Sequence, residues 1–540
     1  MNSSYKKQSK AIRDLIHHAG KGNLFSLYEL YENYTSGKYV EEKSPDLAQK
    51  YLTELVLTLS NTKLQIESLN FREFRRFKSF DIKFDPQLTV IIGENGAGKT
   101  SIADALVKNL SWISANLLKS QGVGKYLSET DINVNVDDYA EVIGRFKLNR
   151  ESGFDISLAT PKAGYPGKVT NTVIESKKIG DIYRLSAEKV SSVLPLFAFY
   201  SVERSNINLT ANSAKDRFNS RFNALKDGLD ASTHLETFSE KYIELFNLAE
   251  AEETQEIREV KQSIKLLLEL VENDQNNEKK NSSLLNRLAL EQNNLSDLIS
   301  AGTFKYQKII NSVNDAIETL VPDVKRIKVD RSTGKSVIIL ENFGNAVNIR
   351  QLSQGQKTLV ALTGDLALRL ATLNPDEENT LLGQGIVIID EVELHLHPRW
   401  QQQILLKLQG TFPNIQFIVT THSPHVLSTV DMKYIRMLKF EDNGKAFVEM
   451  PEYQTKGVNS SDILERIMGV FSVPLVDEAN WLRDYSALIS EGKWESEKAQ
   501  DLYKKLIEHF GEQHPEILML NSEIRVQEFK RKAQQLKRKG

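Results

Sequence analysis

The 540-residue sequence contains no cysteine. That excludes disulfides, thiolate metal centres and cysteine nucleophiles together, and it fits a reducing, cytoplasmic setting. Neither sign of charge is in excess. Sixty-nine basic against 72 acidic residues give a formal net charge of -3, which argues against coating nucleic acid by bulk electrostatics and leaves room only for a local basic patch. Long apolar runs are also missing. No stretch approaches the roughly 20 apolar residues that cross a bilayer, so no membrane half of a transporter is expected. The polar start, Met1 to Lys10, has no apolar region behind it that would read as a signal peptide. What is present is the composition of a folded protein, 40% hydrophobic and 26% charged. The chain is long enough for two or three structural units.

Residues 1–62 read as helical, with Leu24, Leu27, Tyr28 and Tyr31 at helical spacing and Gly37 and Pro45 as punctuation. From Lys63 the period changes. Leu64, Ile66 and Leu69, then Phe80, Ile82 and Phe84, read as strands on either side of a basic turn. Leu88 to Ile92 is a short apolar run that stops at Gly93, the pattern of a buried parallel strand. A helix is expected from Thr100 to about Leu118, then strands near Ala140–Leu148 and Leu194–Tyr200. Residues 216–323 are charged and helical, with a heptad seam of Ile257, Val260, Ile264, Leu267 and Val271 and a return helix carrying Leu284, Leu288, Leu295 and Ile299. A compact helical insertion is expected there rather than a protruding arm. Strands resume at Val324–Val329 and Ser336–Leu340, joined by a turn through Ser332, Thr333, Gly334 and Lys335. Buried-type strands follow at Ile386–Ile389 and Phe417–Thr420, and residues 461–540 return to helix with a basic tail. The expected units are thus 1–62, 63–215, 216–323, 324–460 and 461–540.

Three motifs carry chemistry. Gly93-Glu94-Asn95-Gly96-Ala97-Gly98-Lys99-Thr100 fits the P-loop, with a buried strand before it and a helix after it. The glycines let backbone N–H groups turn toward phosphates, and the helix N-terminus adds partial positive charge. The candidate ATP-binding set is Asn95, Gly96, Ala97, Gly98, Lys99, Thr100 and Ser101, with Lys99 on the β- and γ-phosphates and Thr100 on Mg2+. Asp390 and Glu391 emerge at the end of an apolar strand. Asp390 is expected to hold Mg2+ through water, and Glu391 to orient and deprotonate the attacking water. Leu352-Ser353-Gln354-Gly355-Gln356 resembles the signature of ABC ATPases, with Gln354 in place of a glycine. A helix cap explains the serine but not the Gly-Gln that follows.

The resemblance implies an α/β fold: an ABC-type ATPase head, a P-loop NTPase with a mixed sheet and flanking helices, carrying an inserted helical subdomain and helical extensions at both ends. It implies that Ser353, Gly355 and Gln356 close on the γ-phosphate bound by an opposite subunit, so that a homodimer shares two ATP molecules. It also implies that His422 is the switch histidine and that His395-Leu396-His397-Pro398 is the D-loop. The histidines and carboxylates here could instead suggest zinc, but the chain lacks a His-Glu-x-x-His arrangement. The family's glutamine at the end of a first-lobe strand is missing: the strand ends Phe199-Tyr200-Ser201-Val202-Glu203-Arg204, and Gln121 stands in the wrong context.

Asn70-Phe71-Arg72-Glu73-Phe74, Ile91 to Gly96, Glu391 to Pro398 and Thr420-Thr421-His422-Ser423-Pro424 resemble the RecF-like and OLD-like ATPases. More narrowly, the chain resembles the PtuA-type ATPases of Septu anti-phage systems and their retron-associated relatives. That resemblance implies partners: a PtuB-like HNH nuclease, and in retron versions a reverse transcriptase with its multicopy single-stranded DNA. The nine histidines form no HNH cluster, and helical sequence stands where OLD nucleases carry a Toprim module, so no intrinsic nuclease is expected. A RecF-like clamp on duplex DNA through Arg72, Arg75, Arg76, Lys78 or the basic tail, or an OLD-like nuclease, are the alternatives. The N-terminal helices resemble a single Sel1-like unit.

Overall fold

The computed structural model describes residues 10–189, 192–202, 218, 220–230, 235–252, 255–273, 278–301, 305–332, 334–470 and 476–539. Glu203, Arg204, Thr333 and Leu475 lie outside them, as do Met1 to Ser9 and the side chains of Ile257, Ile299, Lys537, Arg538 and Lys539. The chain divides into two units, Met1–Val458 and Asn459–Gly540.

The first unit opens with helices α1 (Lys10–Ala19), α2 (Leu24–Ser36) and α3 (Pro45–Ser60). Asn23 caps α2, Gly37 ends it at φ 78, and Ser44 ahead of Pro45 starts α3. Strands β1 (Gln65–Phe74), β2 (Phe77–Lys83) and β3 (Leu88–Ile92) lead to α4 (Lys99–Leu118). Then come β4 (Tyr139–Lys147), β5 (Gly153–Pro161), α5 (Ile174–Lys189) and β6 (Leu196–Tyr200). Helices α6 (Leu235–Glu252), α7 (Gln255–Asn273), α8 (Glu278–Ala301) and α9 (Lys305–Leu320) precede β7 (Val324–Asp330), β8 (Val337–Asn342), β9 (Asn345–Asn348) and α10 (Gln354–Leu373). The unit closes with β10 (Gly385–Ile389), α11 (Pro398–Gln401), α12 (Ile404–Thr411), β11 (Ile415–Thr420), α13 (Pro424–Leu427), β12 (Ile435–Phe440) and β13 (Ala446–Glu449).

Six strands form the central sheet in the order β13-β12-β3-β11-β10-β6, parallel except for β13. Strands β3, β6, β10 and β11 are buried throughout, which is why each reads as a largely apolar run. Their carboxyl ends meet along one edge, where open α/β sheets place their ligands. An antiparallel sheet, β2-β1-β4-β5, lies beside it. Two buried glutamines join the sheets: Gln384 Oε1 accepts the Leu64 N–H at 3.2 Å, and Gln416 bonds both the N–H and the carbonyl of Ile66 at 2.9 Å. A register shift between Ile66 and Ser68 explains the broken alternation of Leu64, Ile66 and Leu69, all of which are buried. The third sheet is β7-β8-β9.

A buried polar knot ties the central sheet to the helices. Asp365 on α10 accepts hydrogen bonds from Arg369 Nε at 2.6 Å, Lys241 Nζ of α6 at 2.8 Å and the Tyr200 hydroxyl of β6 at 3.1 Å. Helix α9 packs on α6 and α10. Helices α7 and α8 pack on each other and, among the described residues, on no third element to a comparable degree. They form a two-helix arm rather than the compact insertion the sequence suggested. One seam can be closed by two helices: Leu267 and Leu288 are buried, while Leu266, Leu270, Leu285 and Leu290 are exposed.

The second unit contains α14 (Ser460–Arg466), α15 (Asp477–Ser490), α16 (Glu497–Phe510) and α17 (Pro515–Lys539). Tyr485, Ile489, Trp494, Leu502, Leu506, Ile517 and Leu520 form its own core.

Candidate functional site

The loop after β3 is shaped by its glycines. Gly96 and Gly98 take φ values of 74 and 103, a region open to glycine at little cost. A methyl group on Gly98 would also lie 2.5 Å from the Phe77 ring. Gly98 occupies the N-cap of α4 and has no side chain to cap it, so the first-turn N–H groups are available to an anion. Lys99 folds back over the loop, its Nζ donating to the carbonyls of Gly93 at 2.9 Å and Glu94 at 3.0 Å. Burial lowers its pKa, against the opposing pull of Asp390, Glu391 and Glu393. The ammonium is thus held at the loop with three carboxylates nearby. Asn95, Gly96 and Thr100 are exposed, Ser101 is half-buried, and Ala97 is buried beneath the loop.

Asp390 is buried, and its N–H donates to the Tyr200 carbonyl at 2.9 Å. Its Oδ2 accepts from Thr100 Oγ1 at 3.1 Å, and its Oδ1 from Thr420 Oγ1. Thr100 and Asp390 therefore stand together although 290 residues apart in sequence. A hydroxyl and one carboxylate are a donor set that suits Mg2+, which takes few protein oxygens and completes its shell with phosphates and water. Glu391 adopts φ 48, a conformation costly for a residue with a Cβ. It is anchored there by its N–H to Thr420 Oγ1 at 2.9 Å. Thr420 so aligns both acids, a role invisible in the sequence because it depends on β10 and β11 being neighbours.

His422 follows β11 and is half-buried. Burial lowers its pKa, reinforced by Lys99 and opposed by Glu393, Glu391 and Asp390, so this ring stands among the same groups as the P-loop lysine. The neutral imidazole that results at pH 7 can both donate and accept.

The signature residues part company. Ser353 is exposed and caps α10, its Oγ accepting the Gln356 N–H at 3.3 Å. Gln356 is buried: its Oε1 accepts from the Ser353 N–H and Oγ, and its Nε2 donates to Asn342 Oδ1 at 2.8 Å. Its side chain serves the capping box. At Gly355 a methyl group would meet the His395 carbonyl at 2.6 Å, so this glycine admits the turn after the acidic pair. Ser353 and the open end of a 20-residue helix are what face outward. His397 caps α11, its Nδ1 accepting the Arg399 N–H at 3.3 Å.

Three of the four basic residues around the β1–β2 turn are committed internally, and Lys78 is exposed. Arg72 pairs with Asp138 at 2.8 Å, and Arg75 with Asp104 at 2.8 Å and Asp131 at 3.0 Å. Arg76 bonds the Gly96 carbonyl and lies 3.8 Å from the Phe440 ring centroid, bracing the P-loop. Gln121 lies beyond the far end of α4, about 30 Å along that helix from the P-loop. Ser201 is the residue that leaves β6 beside Asp390.

The family described as "AAA domain, putative AbiEii toxin, Type IV TA system" matches residues 88–428, more than half of the chain. The chain is 31% identical over 521 residues to the Retron Vc95 probable ATPase of Vibrio cholerae, covering 93% of this chain and 98% of that protein. It is 30% identical over 535 residues to the Retron Ec83 probable ATPase of Escherichia coli, covering 95% and 96%. The chain belongs to this family of ATPases. A shorter match, 28% identical over 197 residues, joins it to the Septu protein PtuA of Bacillus mycoides, over 36% of this chain and 27% of that protein. The fold is an ABC-type ATPase head in which the loop after β3 and the acidic pair after β10 stand at the carboxyl ends of strands on either side of β11.

Proposed function

We propose that the protein is the ATP-driven switch of an anti-phage defence complex and works as a homodimer. ATP binds along residues 95–101, with Lys99 on the β- and γ-phosphates and Thr100 and Asp390 holding Mg2+. Bound there, Mg2+ neutralises charge that develops on the phosphates. Glu391 orients the attacking water and takes its proton, and His422 contacts the γ-phosphate. Ser353 and the N-terminus of α10 complete the site of a second copy, as two heads about a two-fold axis require. The observation that carries this reading is the Thr100–Asp390 hydrogen bond, which unites the two halves of a nucleotide site with Glu391 held beside them.

The likeness to the Septu protein PtuA and to retron ATPases supports a defence role. In that role the switch holds or releases a PtuB-like HNH nuclease, with a reverse transcriptase and its single-stranded DNA in a retron setting. The internal pairing of Arg72, Arg75 and Arg76 weighs against a clamp on duplex DNA through that turn.

Two variants test the head. Lys99→Ala abolishes ATP binding. Glu391→Gln retains binding, loses hydrolysis, and accumulates as an ATP-bound dimer visible by light scattering. A Glu391→Gln protein that stays monomeric at saturating ATP contradicts the shared site. Co-purification with the products of adjacent genes tests the partner: recovery of neither a nuclease nor a reverse transcriptase removes the defence assignment.

A further inference from the structure

The turn after the acidic pair carries a third carboxylate. Glu393 stands two residues beyond Glu391, and its Oε1 accepts the main-chain N–H of His422 at 2.5 Å. Thr420, two residues before His422, is bonded to Asp390. The loop that carries the histidine is therefore tied to the acidic segment at both ends. Moving His422 out of place requires breaking one of these bonds.

The other oxygen of Glu393 has a different status. Oε2 is buried and, among the described residues, has no hydrogen-bond partner. A shielded carboxylate oxygen without a donor is costly, and its retention calls for a reason. Glu393 lies close enough to Lys99 and His422 to act on the charge of both, so the unpartnered atom belongs to the nucleotide site. The phosphates of ATP carry acceptors only. A donor that accompanies them into this position is water.

We propose that Glu393 is a positioning residue for ATP hydrolysis, one oxygen clamping the loop that carries His422 and the other accepting a hydrogen bond from a water that enters with the nucleotide. The proposal rests on the ATPase reading above.

The test is steady-state hydrolysis and nucleotide affinity of the full chain carrying Glu393→Ala or Glu393→Gln, beside wild type. Glu393→Ala removes both oxygens and is expected to lower kcat at least about tenfold while nucleotide Kd changes by less than about threefold. Glu393→Gln is isosteric and still offers an oxygen to the His422 N–H, but it places a donor where Oε2 stood. It is expected to lower kcat about fivefold or more with unchanged affinity and melting temperature. Wild-type kcat in Glu393→Gln overturns the water-accepting role, and wild-type kcat in Glu393→Ala overturns the clamp as well. Loss of nucleotide affinity in step with kcat in both variants also overturns the proposal, since Glu393 would then support binding alone. Failure of the wild-type protein to hydrolyse ATP refutes the ATPase reading instead, a result distinct from any of these.

Discussion

Gly98 shows how little freedom a phosphate loop has. Its backbone lies in the left-handed region and Phe77 occupies the space a side chain would need. Gly98→Ala therefore adds left-handed strain, about 1–2 kcal/mol, to a steric conflict with a buried ring. Nucleotide affinity measured by calorimetry should fall at least about tenfold, since about 1.4 kcal/mol is a factor of 10. The complementary case is Gln356, whose amide joins the cap of α10 to Asn342. Gln356→Ala should lower the melting temperature by breaking that cap, at a cost of about 1 kcal/mol, with nucleotide affinity retained. At this scale the P-loop and the acidic pair were readable because consecutive residues and one buried strand carry each. Thr420, Arg76 and Glu393 were not, because each acts on atoms brought near only when strands distant in sequence align.

Among the elements, α10 links the signature residues to the central sheet. Its first residue faces outward beside Ser353, and two turns before its end Asp365 receives a lysine from α6, an arginine from α10 itself and the Tyr200 hydroxyl of β6, whose carbonyl accepts the Asp390 N–H. Burial alone raises the Asp365 carboxyl, and the Arg369 and Lys241 charges reverse that, holding it well below the usual carboxylate range. A depressed folded pKa contributes stability above the unfolded value near 4 and loses it as pH falls through the folded value. Acid unfolding followed by circular dichroism should therefore begin below about pH 4 and be displaced upward in Asp365→Asn. That substitution leaves two buried cations without their counter-charge, and urea unfolding at pH 7 should report a loss of about 3–5 kcal/mol. The central strands were legible from their short, largely apolar runs. Strand β5 and helix α5 were not: Ile179, Ile182 and Tyr183 are buried in α5, but lysines and acids between them dilute the period. The heptad of α7 was legible as a seam, yet its spacing could not say whether the outer leucines were covered.

For the whole molecule, the first unit carries the nucleotide chemistry, and the second has its own apolar core built from three helices. In the proposed dimer, Ser353 and the P-loop belong to opposite halves of a shared site, so a subunit would contribute one loop to one site and one serine to the other. On that proposal a protein damaged in its loop and a protein damaged at its serine should each be inactive alone. When Lys99→Ala and Ser353→Arg chains are mixed, half of the random dimers pair one with the other, and each such pair holds one intact site. ATP turnover should recover to about a quarter of the wild-type rate. Two defective alleles of one gene would in that case complement each other within a cell, so a genetic cross could detect the dimer without purified protein.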